Sequence, residues 1–126
     1  MPAMTAAKIH LVVAALMGLA GVALLAAAAH VALDPGHVQT AGQMLLFHAS
    51  AVIGATAARK GGHLHDGLAR IALSAIMVGT ALFAADLARR GFAGAALFPR
   101  AAPIGGWFML GGWLGLAVAA LGAKRA

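Results

Sequence analysis

The chain has 126 residues, 63% of them hydrophobic and 10% charged, with a mean hydropathy of +0.94. Soluble domains carry about 25% charged residues, so a water-facing surface cannot be built from this composition. There is no cysteine, which excludes disulfides, thiolate metal sites and cysteine nucleophiles.

Four long apolar stretches run roughly over Ile9–Leu33, Ala41–Ala58, Leu68–Leu87 and Ala101–Ala123. Each approaches the ~20 residues that a helix needs to cross a hydrocarbon layer about 30 Å thick. The expected fold is all-α: one integral membrane domain over residues 1–126, folded as an antiparallel bundle of four transmembrane helices. The first stretch, with Lys8 ahead of it and Ala27-Ala28-Ala29 near its end, resembles a signal peptide with its cleavage site. Its length exceeds a usual signal core, and it reads as a retained helix. Asp34-Pro35-Gly36 predicts a turn that makes the first two helices a tight hairpin. Lys60-Gly61-Gly62 stops the second helix, and Asp66 is the expected N-cap of the third. Arg89-Arg90-Gly91 stops the third, and Phe92–Arg100 forms a longer connection lying at the interface.

The net charge of +6 is carried by Lys and Arg at the ends of these stretches. It fits topology and attraction to anionic lipid headgroups. No basic stretch interleaved with aromatics exists to track a phosphate backbone, so no nucleic-acid partner is expected. Lys8, Arg59, Lys60, Arg70, Lys124 and Arg125 fall on one side of a four-span protein, and Arg89, Arg90 and Arg100 on the other. The positive-inside rule then places both termini in the cytoplasm of a multi-pass inner-membrane protein.

Small residues recur along the spans. Gly18 and Gly21 in the first helix, and Gly105, Gly106, Gly111 and Gly115 in the fourth, are candidate packing positions, with Gly111-x-x-x-Gly115 fitting the small-xxx-small pattern. Trp107 falls near an interface, whereas Trp113 falls deeper and is expected to face another helix or a partner.

An ionisable or polar residue inside a span is costly and therefore a functional candidate. The candidates are His30, Gln43, His48 and Asp86. His30 and His48 would be axial haem ligands in a redox subunit, or His30, Gln43 and Asp86 a metal or quinone site. Depth opposes haem: on these boundaries the two histidines differ axially by roughly 9 Å at 1.5 Å per residue. The plainer reading gives His48 and Gln43 an interhelical hydrogen bond that fixes register. It pairs Asp86 with Arg89 or Arg90, and leaves His63 and His65 in a solvated loop. No triad, phosphate loop or carboxylate pair is present, so no enzyme activity and no cofactor are expected.

Taken in order, several motifs resemble the YgdD-like family of small four-helix membrane proteins, a domain-of-unknown-function family with eukaryotic TMEM-type relatives. Ala26-Ala27-Ala28-Ala29-His30 is similar to its helix-one end, Phe47-His48-Ala49 to its helix-two histidine motif, and Gly79-Thr80-Ala81-Leu82-Phe83 to its helix-three motif. Ala102-Pro103-Ile104-Gly105-Gly106 with Gly112-Trp113 is similar to its helix-four entry. The departures thin any polar site. The family's glycines and phenylalanine before the first histidine are alanines or leucine here, its Tyr-Gln pair falls on Met44-Leu45, and its helix-three tyrosine falls on Ala88. The resemblance implies four helices and no known reaction, with His30 and His48 as positions of interest.

The leading expectation is a non-enzymatic accessory or packing subunit, in contact with lipid and with itself or other membrane-protein subunits. The alternatives are a haem- or quinone-associated redox subunit and a small transporter or channel.

Overall fold

A computed structural model describes residues 4–30 and 32–124. It contains four helices: α1 (Ala6–His30), α2 (Pro35–Lys60), α3 (Asp66–Ala93) and α4 (Ala101–Leu121). All four are long and apolar enough to cross a membrane, and the described residues include no strand. Val31, within the expected first helix, and Arg125 of the C-terminal tail lie outside the described residues.

Two boundaries differ from expectation by six residues each. Pro35 does not sit in a turn but opens α2. Its fixed φ and missing N–H suit the first helical position, where the N–H has no partner anyway. At the same end of the α2–α3 pair, α3 runs past Leu87 to Ala93 and stops at Gly94, whose backbone at a left-handed φ of 70° closes the helix by donating to Arg90 O. The α3 cap also shifts: His65 is the N-cap, its Nδ1 accepting from Leu68 N at 3.2 Å, and Asp66 is the first helical residue.

The helices pack in chain order, α1 on α2, α2 on α3 and α3 on α4, with α1 also leaning on α3. The α2–α3 pair is therefore central and α1 and α4 flank it. Burial follows this layout: 17% and 22% of the most apolar stretches of α1 and α4 are buried, against 39% and 44% for α2 and α3. One core cluster joins Met17, Ala41, Leu45, Ala49 and Ala84; another joins Ala14, Val52, Leu73 and Ile76.

Because lipid tails are as apolar as leucine, helices here associate by close packing rather than hydrophobic drive. Glycine supplies that closeness at two seats. A Cβ on Gly105 would lie 2.5 Å from Gly79 O, and one on Gly79 would lie 2.6 Å from Gly105 O, so α3 and α4 meet backbone to backbone. Gly21 and Gly42 do the same for α1 and α2, each hypothetical Cβ lying 2.9 Å from the other's carbonyl oxygen. Gly18 makes ordinary contact with Ala49, and Gly115 meets Ala72. Gly106 and Gly111 are a correction: no neighbour lies within 4 Å of a Cβ at either. The buried face of α4 is Ala101, Gly105, Met109, Gly112 and Ala119. Gly111 sits one residue, and so about 100° of helical turn, away from it.

Candidate functional site

The polar candidates separate into distinct places. His48, on α2, is 7% exposed and saturated. Its Nδ1 lies 2.8 Å from Met44 O, one turn back, and so carries the proton; its Nε2 accepts from the indole N–H of Trp113 on α4 at 3.1 Å. The rings meet edge to face with centroids 5.7 Å apart. This is the expected register-fixing bond, but its partner is Trp113 and not Gln43. Trp113 does face another helix, while the residue remains 45% exposed.

His30 is the last residue of α1 and is exposed. With α2 starting at Pro35, His48 is thirteen residues into its helix, about 20 Å from that end at 1.5 Å per residue. The two histidines are thus further apart in depth than the shorter expected helices implied. Neither imidazole nitrogen of His48 is free to bind iron, so the structure does not assemble the haem pair. Gln43 is exposed on the outer face of α2, away from His48.

Asp86 is fully buried on α3 and also saturated. Its Oδ2 accepts from Arg90 Nε at 2.8 Å, one of the two expected pairings, and its Oδ1 accepts from the backbone N–H of Leu97 at 2.8 Å. The carboxylate therefore folds the α3–α4 connection back onto α3. His30, Gln43 and Asp86 do not converge. No group of three or more His, Cys, Asp or Glu is placed to hold a metal among the described residues.

The other end of the α2–α3 pair holds a polar cluster beside the His63–His65 connection. Arg59, in the last turn of α2, is 5% exposed, and its Nη1 donates to Asp66 Oδ1 at 2.6 Å. Arg70 Nε reaches the other oxygen of Asp66 at 3.0 Å. Thr56 and, across on α1, His10 are buried beside this end; Ser74 of α3 bonds Arg70 O and lies 3.4 Å from His10 Nε2. Val52, Thr56 and Arg59 share one helical face at spacings of four and three, the signal by which Arg59's burial was legible.

Outside the spans, Asp34 accepts from His37 Nδ1 at 2.5 Å, and this bond holds its carboxyl below the usual carboxylate range. Asp34 N donates to Gly91 O at 2.9 Å, tying the α1–α2 connection to the end of α3.

A family profile described as a protein of unknown function (DUF423) matches residues 24–106, about two thirds of the chain. The chain belongs to the DUF423 family. This agrees with the YgdD-like resemblance. The matched span contains His30, His48, Arg59, Asp66 and Asp86, whereas His10 and Trp113 fall outside it. No curated protein and no solved structure matches the chain.

Proposed function

We propose that this DUF423 protein is a non-catalytic component of the inner membrane that docks laterally on other membrane-protein subunits or on itself. One observation carries the reading: the outward face of α2. Gln39, Gln43, Phe47, Ser50, Gly54 and Ala57 are all exposed and recur at helical spacing along it. The outward faces of α1 and α4 are different. They present Leu16, Leu19 and Val22, and Trp107, Leu110 and Leu114, the large apolar side chains that suit lipid. Gln43 lies eight residues into α2, about 12 Å from its end, which is within the hydrocarbon for a helix of this length. An amide there has no described partner in its own chain, and interhelical hydrogen bonds in bilayers are worth about 1 kcal/mol. Gly54 and Ala57 beside it permit close approach.

The saturated bonding of His48 and Asp86 supports a structural role for both over catalysis or redox chemistry. The basic side chains favour an orientation with both termini in the cytoplasm.

The chain lacks cysteine, so single cysteines report cleanly. Gln43→Cys in native membranes is expected to give a discrete cross-linked product with a short bifunctional maleimide, while Leu114→Cys on α4 gives none. A monomer in native nanodiscs, together with no product from Gln43→Cys, overturns the proposal.

A further inference from the structure

The buried cation of the bundle is underbonded. A guanidinium presents five N–H donors in a rigid fork. Among the described residues, Nη1 of Arg59 has a partner, whereas Nε and Nη2 are buried and have none. Those two nitrogens form the side-on edge that grips an oxyanion with two parallel bonds. Nearby, Thr56 Oγ1 on α2 and His10 Nδ1 on α1 are also buried without a partner among the described residues, though neither lines the cavity at this end. Buried polar atoms are normally satisfied, and the two open Arg59 donors call for an acceptor.

Asp66 does not supply it. Its two oxygens are divided between Arg59 and Arg70, and the side chain is 58% exposed. The same end carries Lys8, Lys60 and Lys124, with Asp66 the acid among them. A cavity of about 270 Å³ opens here, lined by Arg59, Leu64, His65, Asp66, Gly122 and Lys124. The first turn of α3 borders it, and the positive end of that helix dipole favours a negative group. Leu121, adjoining Gly122, is 88% exposed and offers an apolar surface beside the cavity.

We propose that this cavity binds a phosphate oxyanion, with Arg59 and Lys124 as its cationic contacts, and that the phosphate is the headgroup of an anionic phospholipid. Lipid phosphates lie at the level of helix ends, where this cavity sits, and basic pockets between spans are suited to them. The acyl chains would run down the apolar outside of α4 from Leu121.

The test uses the full-length protein, delipidated in detergent and titrated with dioleoylphosphatidylglycerol or dioleoylphosphatidylcholine, with lipid adducts read by native mass spectrometry. Wild type is expected to retain the anionic lipid over the zwitterionic one. Arg59→Met is expected to weaken the anionic lipid by about tenfold or more, the scale of a lost charged hydrogen-bonding group. Lys124→Gln, on an exposed residue past α4 and without consequence for folding, should weaken it a few-fold. Arg70→Gln removes a charge of the same sign that does not line the cavity, and should leave affinity within about twofold. Inorganic phosphate is titrated in parallel. Binding of phosphate with the same variant dependence, but without preference for the anionic lipid, supports the oxyanion site and replaces the lipid by free phosphate. Equal retention of both lipids with no phosphate binding overturns the proposal. So does a loss in Arg70→Gln as large as that in Arg59→Met, because the attraction is then general surface charge.

Discussion

The α2–α3 pair buries one charge at each end, and the two are treated in opposite ways. Asp86 is 0% exposed with both oxygens bonded, one to the Arg90 side chain and one to the Leu97 backbone. Arg59 is 5% exposed with one nitrogen bonded and two buried without partners. Burying a charge without full compensation costs stability. The Asp86 end spends its charge on shape, closing the α3–α4 connection. The Arg59 end leaves two donors without a partner among the described residues. Arg59 lies in the last turn of α2, whereas Asp86 lies seven residues inside the end of α3, about 10 Å from it.

The largest expected effect falls at the satisfied end. Asp86→Ala strands the Leu97 N–H and frees Arg90, and should lower stability by about 2–3 kcal/mol, the scale of a buried donor left unmade. Asp86→Asn keeps an acceptor for Leu97 and should recover about half of that. Thermal unfolding in a fixed detergent reads both. Equal losses in the two variants would show that charge, not the connection, is what Asp86 secures.

Next is the glycine seat that carries α4. Gly105→Ala drives a methyl to 2.5 Å from Gly79 O, where backbone must move, and should cost about 2 kcal/mol, typical of overpacking. Gly111→Ala meets open space and should be neutral or slightly stabilising, since alanine relieves the helix of glycine's entropy. If the order were reversed, α4 would be rotated relative to the seat described here. Trp113→Phe keeps the ring and removes one bond to His48, and should cost about 1 kcal/mol or less. Nitrogen shifts in the histidine NMR spectrum should change at the same time, because Nε2 loses its donor.

These three sites differ in how legible they were. The spans follow from composition because hydrocarbon demands about 20 apolar residues whatever the fold. The Asp86–Arg90 pair follows from i,i+4 spacing on one helix. The Leu97 bond does not, because a backbone donor eleven residues away arrives only once the connection has folded back. His48 was recognisable as a buried polar side chain, but its partner is 65 residues along, and no local pattern specifies Trp113 over Gln43. Of the Gly111–Gly115 pattern, Gly115 meets Ala72 but Gly111 faces away, for a related reason. In a helix rich in glycine, spacing identifies small residues without saying which face meets a neighbour, and the seat uses Gly105 and Gly112 instead. Arg59 stands in a basic run, Arg59-Lys60, where charge alone suggests a solvated turn; only its spacing from Val52 and Thr56 marks it as facing inward.

The smallest effect on stability is expected at the unsatisfied end, and it sharpens the comparison most. Removing one partner of a buried ion pair is costly when the other is left buried and uncompensated, and otherwise an apolar residue of similar size is tolerated. Arg59→Met should therefore change unfolding by no more than about 0.5 kcal/mol, or raise it, when measured without anionic lipid. Asp66 keeps Arg70 as a partner and is largely in solvent, so little is stranded by the change. Added anionic phospholipid should then separate the two proteins. A ligand that binds only the folded state stabilises it in proportion to the logarithm of its concentration over Kd, so wild type gains with lipid and Arg59→Met gains less. A substantial loss from Arg59→Met in neutral detergent would instead place Arg59 beside Asp86, as a charge whose bonds already hold the fold, and the contrast between the two ends would disappear.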